Sequence, residues 1–343
     1  MKTVFSPRHL GHSNQLELMA GAIVPGFELP SRAQYIHDRI VEVGLGEIVG
    51  PKEFDLSIAA RVHAQDFLDF LPTVYPRWKA LGRDGTALAY TWPTRGLRGD
   101  VVPECLDGAL GHYSFDAGCG FVEGTWDAIK SSHDVMMTAA EMVKNGAGSA
   151  YALCRPPGHH AGSNFMGGYC YINNAAVAAE YYIANGAKRV SILDVDYHHG
   201  NGTQQIFYNR ADVQVINIHG DPNQEYPYFL GYKEETGAGE GEGFNINYPL
   251  RWGTDWAGWS DALIDGVKKL EAYGPDVVIV SLGVDTFEKD PISQFKLKTE
   301  DYPKIGAIVK AIGKPTLFVQ EGGYAVADIG INAVGVLTGY EDA

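Results

Sequence analysis

The stretch Arg189-Val190-Ser191-Ile192-Leu193-Asp194-Val195-Asp196-Tyr197-His198-His199-Gly200 joins a short apolar run to a cluster of carboxylates and imidazoles. The run is too short for a helix and is apolar on both faces, the pattern of a strand buried in a parallel sheet. Residues 213–218, 276–282 and 315–320 read the same way. Helical stretches lie between and around them at 124–145, 174–185 and 259–273. The second is Ala-rich and stops before Gly186, a residue suited to a helix end. This alternation predicts an α/β fold with a doubly wound parallel sheet. Polar clusters follow the strands directly: Asp194 to His199, Asp285 after Leu282, and Glu321 to Tyr324 after Gln320. Open α/β sheets bind ligands at the carboxyl ends of their strands, so three segments converge on one edge.

The chain has 343 residues, 45% of them apolar, enough for one large domain spanning 1–343. No run of about 18 apolar residues is present, so no membrane span is expected. The start, Met1-Lys2-Thr3-Val4-Phe5, lacks a signal-peptide pattern. Cys105, Cys119, Cys154 and Cys170 form no Cys-x-x-Cys pair, which fits reduced thiols and a cytoplasmic location. A net charge of -15 argues against nucleic acid as a partner and weakly attracts cationic substrates. Residues 86–120 are rich in Gly, Pro and Trp without a clear period. They read as an irregular inserted loop, either functional or an interface, or simply packed on the surface.

On extended backbone Asp194, Asp196 and His198 share one face. Asp196 and His198 can then grip one metal ion, with Asp194 orienting a neighbouring histidine. Oxygen and nitrogen ligands suit zinc, and equally iron(II) or cobalt. The competing reading is a helix-capping aspartate beside core histidines. In Arg155-Pro156-Pro157-Gly158-His159-His160-Ala161-Gly162 the prolines and glycine fix a rigid loop that holds two imidazoles at set angles. One of them can serve as a base toward water. Asp285 completes an Asp-His-Asp set with an open coordination position, unless it only caps a helix. Glu321-Gly322-Gly323-Tyr324 places a hydroxyl after a two-glycine hinge, where it can donate to an oxyanion or merely pack in a turn.

RPPGHHAG, GGYCYINNAAVAA, LDVDYHHGNGTQ, SLGVDTFEKDP and QEGGY, in this order, resemble the zinc-dependent histone deacetylase family, and most closely its bacterial acetylpolyamine amidohydrolases. The resemblance implies an arginase-like three-layer α/β/α fold with a central, mostly parallel sheet. It implies that Asp196, His198 and Asp285 bind Zn²⁺, and that His160 is general base and acid with His159 as its electrostatic partner. Asp194 would orient His159, and Asn201 stands behind His160 where some relatives have aspartate. Tyr324 would polarise the amide carbonyl, and Tyr169 and Tyr226 would line the channel. A monovalent cation such as K⁺ would sit by Asp194 and the carbonyls of Asp196 and His198. The 86–120 segment would make a homodimer contact that narrows the channel. Glu17, with Asp107 and Asp116, would select a cationic amine. The implied reaction is metal-dependent hydrolysis of acetylputrescine, acetylcadaverine or acetylspermidine to acetate and free amine. Deacetylation of acetyl-lysine in proteins is the nearest alternative, since the amide and its four-carbon stem are the same. A dinuclear ureohydrolase would share the fold but not the paired histidines. A non-catalytic binder would lack a ligand, His160 or Tyr324, and all are present.

Overall fold

The computed structural model describes residues 1–343. Its strands are β1 (Lys2–Val4), β2 (Leu16–Met19), β3 (Ala22–Pro25), β4 (Ile48–Val49), β5 (Ser149–Ala152), β6 (Val190–Asp194), β7 (Val213–Gly220), β8 (Asn245–Leu250), β9 (Val277–Leu282) and β10 (Thr316–Gln320). Its α-helices are α1 (Pro30–Val43), α2 (Gln65–Phe70), α3 (Val74–Ala80), α4 (Leu106–His112), α5 (Thr125–Lys144), α6 (Asn174–Ala184), α7 (Asn201–Phe207), α8 (Trp256–Tyr273), α9 (Tyr302–Ala311) and α10 (Val326–Asp342). Eight strands form one sheet in the order β4-β1-β5-β10-β9-β6-β7-β8. Every pairing within it is parallel. The remaining two, β2 and β3, make a separate antiparallel hairpin.

Alternation along each strand builds two cores. Ala150, Ala152, Val190, Ile192, Ile279, Leu317 and Val319 face a cluster that includes Met136 of α5 and Ala175 of α6. Tyr151, Leu193, Val278, Val280 and Phe318 face the other, with Ile36 of α1, Trp259 of α8, Ile305 of α9 and Leu337 of α10. Helices therefore cover both faces, giving the expected three-layer α/β/α architecture. Both faces are buried, which is why the strands carry unbroken apolar runs. No helix is long and apolar enough to cross a membrane.

The topology places the site. After β6 the chain moves outward to β7 and β8, then returns to lay β9 and β10 on the other side of β6. Connections leave β6 and β9 in opposite directions, which opens a crevice at their carboxyl ends. The 86–120 segment is less irregular than its composition suggests. It contains α4, and Ala87 pairs antiparallel with Phe121 to close its ends.

Candidate active site

Strand β6 stops at Asp194, so Asp196 and His198 do not share a face by strand alternation as expected. Two side-chain turns bring them together instead. Asp194 Oδ1 accepts the Asp196 N–H at 3.1 Å, and Asp196 Oδ1 accepts the His198 N–H at 2.9 Å. Short carboxylates bend a chain this way by capturing the amide two residues on. The bend aims His198 Nδ1 to within 3.0 Å of Asp285 Oδ2 and 3.5 Å of Asp196 Oδ1. Asp285 arrives from the end of β9, its Oδ1 fixed by the Tyr197 N–H at 2.8 Å.

Ligand atoms of Asp196, His198 and Asp285 all lie within 4.8 Å of one another, and all three residues are buried. Glycines make room for them. A Cβ on Gly283 would fall 2.0 Å from Asp196 Oδ2, and one on Gly322 would fall 2.5 Å from Asp196 Oδ2 and 2.6 Å from Asp285 Oδ2. Burial, and then the neighbouring Asp196 charge, push the Asp285 carboxyl up to about 7. Two carboxylates and an imidazole converging in a dry site fit a divalent cation, whose charge relieves that repulsion.

The loop after β5 carries both predicted histidines to the same floor. His159 Nδ1 lies 3.0 Å from Asp194 Oδ2, and its Nε2 lies 3.8 Å from Asp196 Oδ1. Burial opposes its charge, but Asp196 and Asp194 outweigh burial and lift His159 to about 10. His160 Nδ1 lies 2.7 Å from Asn201 Oδ1. Burial, then the charges of His159 and His198, hold His160 well below the usual histidine range. Adjacent imidazoles are thus shifted in opposite directions, because His159 faces two carboxylates while His160 is buried beside the charges of His159 and His198. Glu321 braces their loop, its Oε2 accepting the N–H groups of Gly158 at 2.7 Å and His159 at 3.2 Å.

Above the floor runs a channel of about 700 Å³ lined by Glu17, Phe115, Asp116, His160, Tyr169, His198, Asn201, Tyr226 and Tyr324, among others. Burial pushes the Tyr324 hydroxyl well above the usual tyrosine range, so it stays a proton donor. Asp107 stands apart from the expected channel residues. Its Oδ2 is bound by Arg83 Nη2 at 3.0 Å, and it is not among the lining residues. Asp116 does line the channel, but accepts from the Tyr226 hydroxyl at 2.6 Å and the N–H groups of Gly118 at 2.9 Å and Gly168 at 3.1 Å. Glu17, on β2, is 3% exposed, and its Oε1 has no hydrogen-bond partner.

Sequence reasoning missed a buried network behind Tyr324. Arg32 stacks over the Tyr324 ring at 4.7 Å and donates to the carbonyls of Gly323 and Glu321, each at 2.6 Å. It also pairs with Glu28 at 2.6 Å, and Arg155 Nε lies 2.9 Å from the same carboxylate. Glu28, just before the N-cap of α1, and Arg32 in its first turn are four residues apart, and that spacing was the available signal.

The histone deacetylase domain model matches residues 27–339. The chain is 54% identical to acetylpolyamine amidohydrolase 2 of Pseudomonas aeruginosa over 99% of both chains. It is 46% identical to the acetylpolyamine amidohydrolase of Mycoplana ramosa, again over 99% of each. The crystal structure of an acetylpolyamine aminohydrolase from Burkholderia pseudomallei superposes with a TM-score of 0.94 at 36% identity, covering 99% of this chain and 98% of that one. With a family model matched over most of its length and relatives matched end to end, the chain belongs to the histone deacetylase family.

Proposed function

We propose that this deacetylase hydrolyses the N-acetyl amide of acetylated polyamines of the acetylputrescine, acetylcadaverine and acetylspermidine type, releasing acetate and free amine. Names of the full-length relatives support the substrate class. The observation that carries it is Glu17, a buried carboxylate with one oxygen free, on the wall of an aromatic channel that ends at His160 and Tyr324. An ammonium group meeting a desolvated carboxylate there gains a charge-assisted hydrogen bond.

The family generally uses a divalent metal. Asp196, His198 and Asp285 would hold it, with zinc preferred and iron(II) or cobalt compatible with the same ligands. When bound, such an ion supplies Lewis-acid polarisation of the amide carbonyl and makes water more acidic. The protein's own groups do the rest. Asn201 Oδ1 accepts from His160 Nδ1, which leaves the His160 Nε2 lone pair free. His160 takes a proton from the attacking water at Nε2 and returns it to the leaving amine nitrogen. Burial, and then the charge of His159 anchored on Asp194, favour a neutral His160. Tyr324 donates its hydroxyl proton in a hydrogen bond to the carbonyl oxygen as negative charge develops, a contribution of about 3–4 kcal/mol for one such donor. Tyr169 and Tyr226 confine the alkyl stem.

A monovalent cation such as K⁺ is assigned beside Asp194. Both side-chain atoms of buried Asn217 lack partners, and a Cβ on Gly200 would lie 2.4 Å from Asp194 Oδ2 and 2.9 Å from Asn217 Nδ2, so the two groups adjoin. Backbone carbonyls of Asp196 and His198 would complete the shell. A homodimer through the 86–120 segment is part of the reading. Tyr90 and Leu97 are 68% and 65% exposed there, and Phe229 at the channel mouth is 86% exposed, an apolar rim suited to a second copy. A cytoplasmic location rests on four unpaired cysteines.

Acetyl-lysine deacetylation is the second reading, favoured by the family itself and by the identical amide. The experiment that decides is a rate comparison on zinc-loaded enzyme with acetylputrescine, acetylcadaverine, acetylspermidine and an acetyl-lysine peptide. The expected kcat/KM is at least about tenfold higher for the small amines. Equal or faster peptide turnover would move the enzyme to the lysine deacetylases.

A further inference from the structure

Tyr324 follows two residues that have no side chains of their own to hold them. Gly322 and Gly323 precede it, and Gly323 has a φ of +123°. Gly322 is crowded by the carboxylates of Asp196 and Asp285, as described above. A hydroxyl that must hold its place after a double-glycine hinge needs an outside anchor. Asp290 is such an anchor. It is buried in the loop between β9 and α9, and its Oδ2 accepts the N–H groups of Tyr324 at 2.6 Å and Ala325 at 3.2 Å. Those are the peptide groups on both sides of the Tyr324 Cα. Its Oδ1 accepts the Ile292 N–H at 3.1 Å, and Ile292 lines the channel. The loop is itself tied to Asp285, whose carbonyl accepts the Ser293 hydroxyl.

We propose that Asp290 is a positioning residue for Tyr324, latching the tyrosine's backbone to the loop that carries Asp285. The latch keeps the hydroxyl and the Asp196, His198 and Asp285 set in one fixed geometry. This inference rests on the role given to Tyr324 above. A simpler role exists for the same carboxylate, as an acceptor at the N-terminal end of α10, where any anion is favoured. That role predicts lower stability with kcat per folded molecule unchanged.

Asp290→Asn and Asp290→Ser separate the two, each made alone and together with Tyr324→Phe. Making both guards against a folding failure of one. Rates are measured on the best small substrate, alongside metal content and thermal midpoint. The expected result is one divalent metal per chain, KM within about twofold of wild type, and kcat lower by roughly ten- to a hundredfold, as for a catalytic group displaced by a fraction of an ångström. In the Tyr324→Phe background the same replacement changes kcat by less than about threefold, because both act through one hydroxyl. Wild-type kcat in both Asp290 variants, or losses that multiply in full with Tyr324→Phe, overturns the latch. If Tyr324→Phe loses turnover and the Asp290 variants do not, the latch alone fails. If Tyr324→Phe itself keeps wild-type turnover, the role of Tyr324 fails and the latch goes with it.

Discussion

Glu17 differs from the other acidic side chains near the channel in having an oxygen left over. Asp116 has three donors and Asp107 is held by Arg83, so neither has the same capacity for an incoming ammonium. Glu17→Gln is expected to raise KM for acetylputrescine by roughly tenfold or more, from a charged hydrogen bond of about 1.5–3 kcal/mol, with kcat/KM for a neutral N-acetyl alkylamine unchanged. Equal effects on both amides would show that Glu17 does not read the charge. Asn201 gives a second test. Its amide leaves His160 without a counter-charge, so Asn201→Asp is expected to raise the His160 pKa. The base proposed for His160 works only when neutral, so the acidic limb of kcat/KM against pH is expected to move to higher pH. An unmoved limb would remove His160 as the group that titrates. Residue types at the site were legible because buried acids and histidines in pairs have few other uses. Their geometry was less so. Asp196 and His198 meet through side-chain turns, which a two-residue period does not describe. Glu17 sits on a short hairpin, and only family resemblance pointed to it.

Elements with one strong pattern were legible, and those with mixed patterns were not. The apolar runs of β6, β7, β9 and β10 read as buried strands because helices cover both faces. Strand β8, Asn245-Ile246-Asn247-Tyr248-Pro249-Leu250, interleaves polar residues and ends the sheet, so it lacks the doubly buried signature. Helix α4 is seven residues long with two glycines, too short to show a period. Loops following strands carry the chemistry, and their glycines are spacers rather than hinges alone. Gly322→Ala would push a methyl to within 2.5 Å of Asp196 Oδ2 and 2.6 Å of Asp285 Oδ2. The expected outcome is a purified protein with well under one divalent metal per chain by elemental analysis, and turnover reduced in proportion. Full metal content would mean that the β10 loop yields where the packing says it is fixed.

At the scale of the whole molecule, the core is built to exclude charge on several imidazoles at once. Burial lowers His9, His12, His63 and His219 from 6.5 to about 4. Unfolded, these groups take up protons below about pH 6.5, and folded they resist until about pH 4. Between those values these four sites bind more protons in the unfolded chain, so their own contribution to stability falls as pH falls through that window, while the raised carboxyls of Asp285, Asp290 and Glu321 act in the opposite sense. NMR titration of the folded protein from pH 7.5 to 4.5 is expected to leave these four imidazoles neutral, and protonation of any of them near pH 6.5 would contradict their buried state. Three-layer architecture was legible from the order of patterns, whereas the strand order was not, because local periodicity carries no information about which distant strands pair. That order has a consequence for how the protein is made. Strands β9 and β10 sit between β5 and β6, although both are translated after them. A ribosome delivering the chain in sequence exposes two open sheet edges until residues 277–320 emerge and fill the gap. Asp285 lies within that stretch, and Tyr324 follows shortly after β10. A nascent chain therefore gains its middle and its chemistry together, near the end of synthesis, and a product terminated before β9 is both adhesive and inert.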